Sequence, residues 1–326
     1  MAYCMPLSWR ISEDDEGLRV DKFLRRELPR VPLSHIFKLL RRRKVRLNEK
    51  RAHPGDRLSP GDSLILRGDP ERLSAEPEDV GRVKTSRREF DVLYEDEHIL
   101  GVVKPPGLAI HPGTGISGAT LVDQVRAWLE VEPDAQGFSA SPAHRLDKET
   151  SGVVLIARTR RAMVALTKLL SGGEVEKTYL ALVKGRMPSQ SGRIDIPLRE
   201  HQQTAKSKAI HGKRCQPALT NWKLLASGGT VSLVEVSLGT GRTHQIRRHF
   251  AAIDHPIVGD RRHGDFAFNR RAKAEWGAGR QMLHAWRLRL VHPLSGKKLN
   301  LSAPVPGDMR EVVDRTGIRG RVPWKR

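Results

Sequence analysis

His144-Arg145-Leu146-Asp147-Lys148-Glu149-Thr150-Ser151-Gly152 runs directly into Val153-Val154-Leu155-Ile156-Ala157. The second half is a short β-branched run and predicts a buried strand. The first half is polar, so it predicts a loop held at one end by that strand. Asp147 is the loop's one unambiguous nucleophile or base. Arg145, Lys148 and His144 surround it with positive charge. An ordinary loop carboxylate on a basic protein would look the same, and the rest of the chain has to separate the two.

Working outward, Phe90–Tyr94 and Ile99–Val103 predict a strand pair around an acidic turn. Lys104-Pro105-Pro106-Gly107-Leu108 ends the second strand, because proline has no N–H to continue a ladder. Helices are predicted at Ala119–Leu129 and Arg161–Leu170, the latter ended by Gly172-Gly173. Lys177–Gly185 predicts a strand with Tyr179, Ala181 and Val183 on one face. Tyr179 there either packs in the core or offers its ring to a nucleobase. Ser191–Gly212 alternates short strands with polar loops. Gln216–Leu225, Thr230–Leu238, Leu283–Leu290 and Leu299–Leu301 predict further strands. Arg261–Gly279 reads as a basic loop carrying Phe266, Phe268 and Trp276, either lying along RNA or covering an apolar edge. From Asp314 onward a basic tail is expected to fray.

A second chemical stretch is Gly239-Thr240-Gly241-Arg242-Thr243-His244-Gln245-Ile246-Arg247-Arg248-His249-Phe250. Thr243 is the expected cap of a helix running to about Ile253. Arg242 and Arg247 flank the helix start, which suits phosphate binding or carboxylate pairing. His244 and His249 lack acidic or cysteine company, so no metal site is expected. Gly239-Thr240-Gly241 is not followed by Gly-Lys-Ser or Gly-Lys-Thr, which excludes a P-loop. Cys215 has no arrangement around it that would make a nucleophilic site.

The 326 residues predict two domains. The formal charge of +21, from 58 basic and 37 acidic residues, points to a polyanionic partner, nucleic acid first. Much of the excess sits early: Gly17–Arg51 holds 13 basic and three acidic residues. In that stretch Leu18, Val20, Phe23, Leu24 and Leu28 predict a helix stopped by Pro29. Ser34 would cap a second helix, with Ile36, Leu39 and Leu40 inward and Lys38, Arg41, Arg42, Arg43 and Lys44 outward. Val45–Asn48 and Ser63–Leu66 predict strands. Arg41, Arg42, Arg43 and Lys44 are the expected phosphate contacts of a compact module, residues 17–67. Residues 68–89 are polar and predict a linker that lets the small domain move. Cys4 and Cys215 lie far apart and suggest a reducing compartment. No signal peptide or bilayer-spanning run is visible, so a cytoplasmic protein away from membranes is expected.

The early module resembles the S4 RNA-binding domain in Arg19-Val20-Asp21-Lys22-Phe23-Leu24, Ser34–Leu40 and Val45-Arg46-Leu47-Asn48, with Lys44 where that family usually has glycine. The larger part resembles the pseudouridine synthases, in the branch that modifies large-subunit ribosomal RNA. Four blocks carry this in order: Lys104–Leu108, His144–Gly152, Lys177–Ala181 and Gly241–His249. Gly264–Arg270 with Leu283-His284-Ala285 most resembles members that treat several uridines near the peptidyl-transferase centre. Asp254 stands where glycine is common, and His263 where tyrosine is.

The resemblance implies an α+β fold: the small S4-like domain, then a catalytic domain over residues 90–313 on a mixed, mostly antiparallel sheet with flanking helices, and a basic tail, 314–326. It implies isomerisation of uridine to pseudouridine with Asp147 catalytic, Arg247 paired to it and Tyr179 on the base. Arg145, Arg242, His244 and Gln245 are expected to hold the nucleotide. No cofactor or metal is expected. The expected partner is large-subunit ribosomal RNA or the assembling subunit, and the expected state a monomer. Rival readings are the same chemistry on another ribosomal stem-loop or transfer RNA, an RNA-binding assembly factor without chemistry, and a glycosidase. The last needs a second carboxylate, for which Asp195 and Asp260 are candidates.

Overall fold

The computed structural model describes residues 7–28, 31, 33–67, 88–113, 116, 118–130, 138–199 and 215–324. The chain forms two compact units, residues 1–84 and 85–326. The expected linker, apart from Arg88 and Glu89, lies outside the described residues, as do Cys4, Pro29 and most of the polar stretch before Gly212. No helix among the described residues is long and apolar enough to cross a membrane.

The smaller unit comprises β1 (Leu7–Arg10), α1 (Val20–Glu27), α2 (Leu33–Arg41), β2 (Val45–Leu47), β3 (Lys50–Arg51) and β4 (Ser63–Leu66). Its sheet runs β1-β4-β2-β3. The apolar spacing of the two helices does what it predicts. Phe23 and Leu24 of α1 and Ile36 and Leu40 of α2 are buried against Val45, Leu64 and Leu66. Each such side chain contributes about 1.5–3 kcal/mol on burial, which outweighs the marginal stability of helices this short. Arg41, Arg42, Arg43 and Lys44 are exposed at the end of α2. The Lys44 N–H donates to Leu39 O at 3.0 Å and the Arg43 N–H to Leu40 O at 3.2 Å. These are the two bonds of a Schellman cap. The left-handed residue of that cap is Arg43, with φ 57°, one position before Lys44.

The larger unit begins with β5 (Asp91–Glu95), β6 (Ile99–Lys104), α3 (Leu121–Leu129), β7 (Ser141–Pro142), β8 (Ser151–Ala157), α4 (Arg160–Gly172) and β9 (Glu176–Lys184). β10 (Ser191–Asp195), β11 (Leu198–Arg199), β12 (Cys215–Gln216), β13 (Leu219–Ser227), β14 (Val231–Leu238) and α5 (Gln245–Ala252) follow. α6 (Phe266–Trp276), β15 (Leu283–Val291), β16 (Lys298–Ser302), α7 (Gly307–Arg315) and β17 (Arg319–Gly320) complete it. The main sheet runs β10-β13-β14-β9-β15-β8-β6-β5, with β16 on β15, β17 on β13 and β7 on β8. β8 and β15 pair in parallel. The other pairings of this sheet are antiparallel.

β8 is buried along its whole length because both faces of the sheet are covered. Val154 and Ile156 pack with Leu121 and Val125 of α3 and Phe250 of α5. Val153 and Leu155 pack with Ala162 and Leu166 of α4. β9 splits the same way: Tyr179, Ala181 and Val183 face the first cluster, while Leu180 and Leu182 meet Phe268 of α6 and Met309 of α7.

Two sequence expectations are corrected here. Arg261–Gly279 is not a loop: Asp265 caps α6 by accepting the Phe268 N–H at 2.9 Å, and Phe268 is buried. Nor is the stretch from Asp314 frayed up to Trp324. Gly320 pairs with Ala226, Val322 is buried, and Trp324 packs on the same cluster as Met309.

The polar loop before β8 is fastened from outside. Lys104 is fully buried at the end of β6, and its Nζ donates to Pro105 O and Leu108 O at 2.8 Å and to Lys148 O at 2.9 Å. Burial pulls its pKa down to about 7, against the demand of these carbonyls for an ammonium's donors. Gln281 Nε2 donates to Thr150 Oγ1 at 2.6 Å, and Arg280 Nη1 to Glu149 O at 3.2 Å. At the loop's end Gly152 has φ 123°, and a Cβ there would lie 2.1 Å from Ala285 O, so only glycine fits. Lys104→Met keeps the bulk and removes the donors. Urea titration should show stability lower by about 1–3 kcal/mol for stranding buried carbonyls. An unchanged midpoint would show that water replaces the ammonium freely.

Candidate functional site

Asp147 meets Arg247 across the fold. Arg247 Nη1 donates to Asp147 Oδ2 at 2.7 Å. The same guanidinium turns its Nε and Nη2 to Asp260, at 2.7 Å from Oδ2 and 2.8 Å from Oδ1. Asp260 is fully buried, and its Oδ1 also accepts the N–H groups of Arg262 at 2.9 Å and His263 at 3.0 Å. Burial alone would favour the neutral carboxyl, but Arg247 and these N–H groups hold Asp260 below the ordinary carboxylate range. Burial works against the charge of Arg247 too, and is outweighed by Asp260 and Asp147, so its pKa is raised.

α5 brings Arg247 to this point by an unusual start. Its N-cap is His244, in the left-handed conformation at φ 54°, and not Thr243 as the sequence suggests. A non-glycine residue in that conformation costs on the order of 1–3 kcal/mol, so the surroundings must hold it. Gln245 supplies much of that hold. Its Oε1 accepts from Thr240 Oγ1 at 2.7 Å and from the Arg242 N–H at 3.0 Å, while its Nε2 donates to Leu219 O and Thr220 Oγ1. Gln245 is buried, and these four bonds fix its side chain where it lines the pocket beside Asp147. His244 Nε2 lies 3.6 Å from Asp147 Oδ1, and its Nδ1 is 2.9 Å from His263 Nε2. Burial lowers the pKa of His244 and pushes His263 down to about 4.

Tyr179 is buried on β9 and lines a pocket of about 70 Å³ with Asp147, Arg145, Arg242, His244 and Arg247. Burial first, and the Asp147 charge second, push its phenol well above the usual tyrosine value. A cleft of about 590 Å³ shares Asp147, Arg145, His244 and Arg247 with that pocket and adds Lys148 and Arg261. Arg145 lines both and is exposed, and Arg242 is exposed at the edge of the smaller pocket. Arg242 also lines a hollow of about 280 Å³ with Arg199 and Arg248. None of these three arginines has a carboxylate partner among the described residues; Arg248 donates to Arg199 O and Arg242 to Pro217 O.

Several neighbours have other work. His144 does not add charge beside Asp147: its Nε2 accepts the Leu155 N–H at 3.1 Å, and burial, then Lys177, push it down to about 4. His249 spends both ring nitrogens on Thr220 Oγ1 and Ile196 O. Of the two possible second carboxylates, Asp195 pairs with Arg193 on β10. Asp260 does reach the site, but it is closed in by Arg247. Among the described residues no group of three His, Cys, Asp or Glu side chains is gathered as a metal would need. Sequence reading gave Asp260 no more than a candidacy and missed the roles of Lys104, Gln281 and His263. The turn His255–Asp260, directly after the Arg247 helix, was the available signal for Asp260.

A family profile described as RNA pseudouridylate synthase matches residues 98–252, and one described as S4 domain matches residues 18–64. "Ribosomal large subunit pseudouridine synthase C" of Escherichia coli strain K12 is 35% identical over 310 residues, 94% of this chain and 95% of that one. The protein of the same name from Pasteurella multocida is 34% identical over 307 residues, 93% of this chain and 91% of that one. Among solved structures, human RNA pseudouridylate synthase domain containing 4 has a similar fold, with a TM-score of 0.57 at 24% identity over 71% of this chain and 94% of that one. Human RNA pseudouridylate synthase domain containing 1 gives 0.52 at 25% identity over 66% and 83%. Similarity that runs nearly end to end, and a matched stretch that holds Asp147, Tyr179 and Arg247, lead to one conclusion: this chain belongs to the RNA pseudouridylate synthase family.

Proposed function

We propose that this chain isomerises specific uridines in large-subunit ribosomal RNA, near the peptidyl-transferase centre, with Asp147 as the catalytic carboxylate. The observation that carries this reading is the 2.7 Å bond from Arg247 to Asp147 at a pocket shared with Tyr179. The choice of RNA rests on the end-to-end similarity to large-subunit synthases. The uridine leaves its stack to reach the pocket, as any base worked on by a buried side chain must. Its N1–C1' bond breaks, the uracil turns, and C5 joins C1', with the C5 proton lost and N1 protonated. Asp147 acts on the ribose while the base is detached, as nucleophile at C1' or as base at a sugar proton. Arg247 fixes the orientation of Asp147. Tyr179, kept as the phenol by its surroundings, gives the base a ring face and an O–H group rather than a phenolate base.

Arg145 and Arg242 hold the flipped nucleotide, and Arg199 and Arg248 take backbone phosphate beside it. Arg41, Arg42, Arg43 and Lys44 contact phosphates from the S4 unit. The chain works as a monomer, since it supplies Asp147, Tyr179 and Arg247 itself. It meets its RNA in the cytoplasm, where ribosomal subunits assemble.

Pseudouridine mapping in a strain lacking the gene should show uridine restored at large-subunit sites. Complete retention there rejects this target, and loss in transfer RNA or another stem-loop transfers the activity. Asp147→Asn should make no product while binding RNA within a few fold of the original, because one carboxylate contributes little to a polyanion interface. Turnover near the original would remove Asp147 from the chemistry. If the original chain also makes none on free or partly assembled RNA, it is a binding factor. Neutralising Arg41, Arg42, Arg43 and Lys44 together should weaken binding and flatten its salt dependence by about one log unit per lost phosphate contact. Single-turnover rates at saturating enzyme should stay level. An unchanged salt slope would make the cluster a solvated face.

A further inference from the structure

His244 and His263 share a hydrogen bond, 2.9 Å between His244 Nδ1 and His263 Nε2. Two ring nitrogens at that distance hold one proton between them, so one donates and the other accepts. If His244 donates, its neutral ring leaves a bare lone pair on Nε2, facing Asp147 Oδ1 at 3.6 Å. That places a lone pair against a carboxylate. If His263 donates, the neutral His244 carries its proton on Nε2 and presents an N–H to Asp147. Electrostatics favours the second arrangement, but at 3.6 Å Asp147 is too far to hold the Nε2 proton by a hydrogen bond, so the 2.9 Å bond from His263 is the contact that locks it. We propose that His263 is a positioning residue that fixes the Nε2–H tautomer and the ring orientation of His244, so that Asp147 keeps Oδ2 bound to Arg247 and turns a polarised but uncommitted Oδ1 to the ribose.

Three further observations agree. His244 sits in a left-handed backbone conformation and makes no side-chain cap at the start of the helix it opens, which leaves its ring nitrogens to His263 and Asp147. The two rings meet edge to face, centroids 5.1 Å apart, which restricts how either can turn. The backbone N–H of His263 is tied to Asp260, the residue that also holds Arg247, so both partners of Asp147 are set from one buried carboxylate. A tyrosine in place of His263 would offer an O–H donor for the same task.

The arrangement is sensitive to protons. The charged or titratable groups bearing on the pair are Asp147, Asp260, Arg247 and Arg262, besides the histidines themselves. Burial lowers the pKa of His244, so its ring stays neutral to below the ordinary histidine range. Once it takes a proton on Nδ1, the bond from His263 is lost. The rate should therefore be level at neutral pH and fall on the acid side as His244 protonates.

This inference rests on Asp147 being the reacting carboxylate, and the test is chosen to separate the two. The variants are His263→Phe, which keeps a ring and removes the donor, and His263→Tyr, which restores one. Tautomers are read by nitrogen-15 NMR of histidine-labelled full-length protein without RNA. Single-turnover isomerisation on large-subunit ribosomal RNA is read against pH at saturating enzyme. The original chain and His263→Tyr should show His244 as the Nε2–H form. His263→Phe should show a mixture, react on the order of tenfold more slowly with RNA affinity within twofold, and move the acid limb to higher pH, because Nδ1 is freed to take a proton. An unchanged His244 tautomer in His263→Phe overturns the proposal, as does His263→Tyr losing as much rate as His263→Phe. If no form of the protein reacts but the tautomer follows the expected pattern, the assigned reaction fails and the positioning stands.

Discussion

The site depends on one arginine being divided between two carboxylates. A buried guanidinium is costly unless its donors are matched, and Asp260 matches two of them in the fork geometry a carboxylate fits best. Asp260 is matched in turn by two backbone N–H groups from its own turn. Of the N–H bonds left over, one on Nη1 points where Asp147 arrives. The position of the Asp147 carboxylate is thus set by a structural ion pair beneath it. The loop that carries Asp147 is independently fixed by Lys104, Arg280 and Gln281, so neither half has to move far to meet the other.

The large net charge divides into groups with different fates. Arg247 and Arg280 are buried and paired, Arg280 with Asp308 at 2.6 Å, and contribute nothing to an attractive surface. Lys104 is spent on carbonyls. Arg145, Arg199, Arg242 and the Arg41–Lys44 cluster are exposed and are the groups that a polyanion would feel. Composition signals the partner, but only the pairing pattern says which cations are available for it.

Legibility in the sequence followed the range of the interactions. β8 and β9 were readable because β-branched and alternating runs report burial locally. α3 and α4 were readable from spacing, and α4 also from Gly172-Gly173 at its end; Thr120, which caps α3, went unread. Asp147, Tyr179 and Arg247 were found through the resemblance of their blocks, and their meeting is a tertiary fact. α6 was misread because its apolar side chains are few and its exposed Phe266 breaks the stripe. β1 and β17 are short strands that exist only through partners distant in sequence. Nothing local shows that the Gln245 amide, besides bonding back to Thr240 and Arg242, reaches Leu219 and Thr220 on β13. Lysines are mostly exposed, so the burial of Lys104 has no local signal: of its three carbonyl partners one, Lys148 O, comes from a loop more than forty residues away.

The parallel pairing of β8 with β15 has a consequence for how the protein is made. Ser151 and Gly152 take their register from His284 and Ala285, and Glu149 and Thr150 are held by Arg280 and Gln281. A chain emerging from the ribosome exposes Asp147 well before any of those residues exist outside the exit tunnel. Contacts this far apart in sequence close late. The S4 unit, by contrast, is complete once its first sixty-odd residues are out, as its own core is built within them. A nascent chain can therefore grip RNA before it can alter it. Catalytic competence arrives as a late event of synthesis, which keeps a half-made enzyme from acting on the very particle that is translating it.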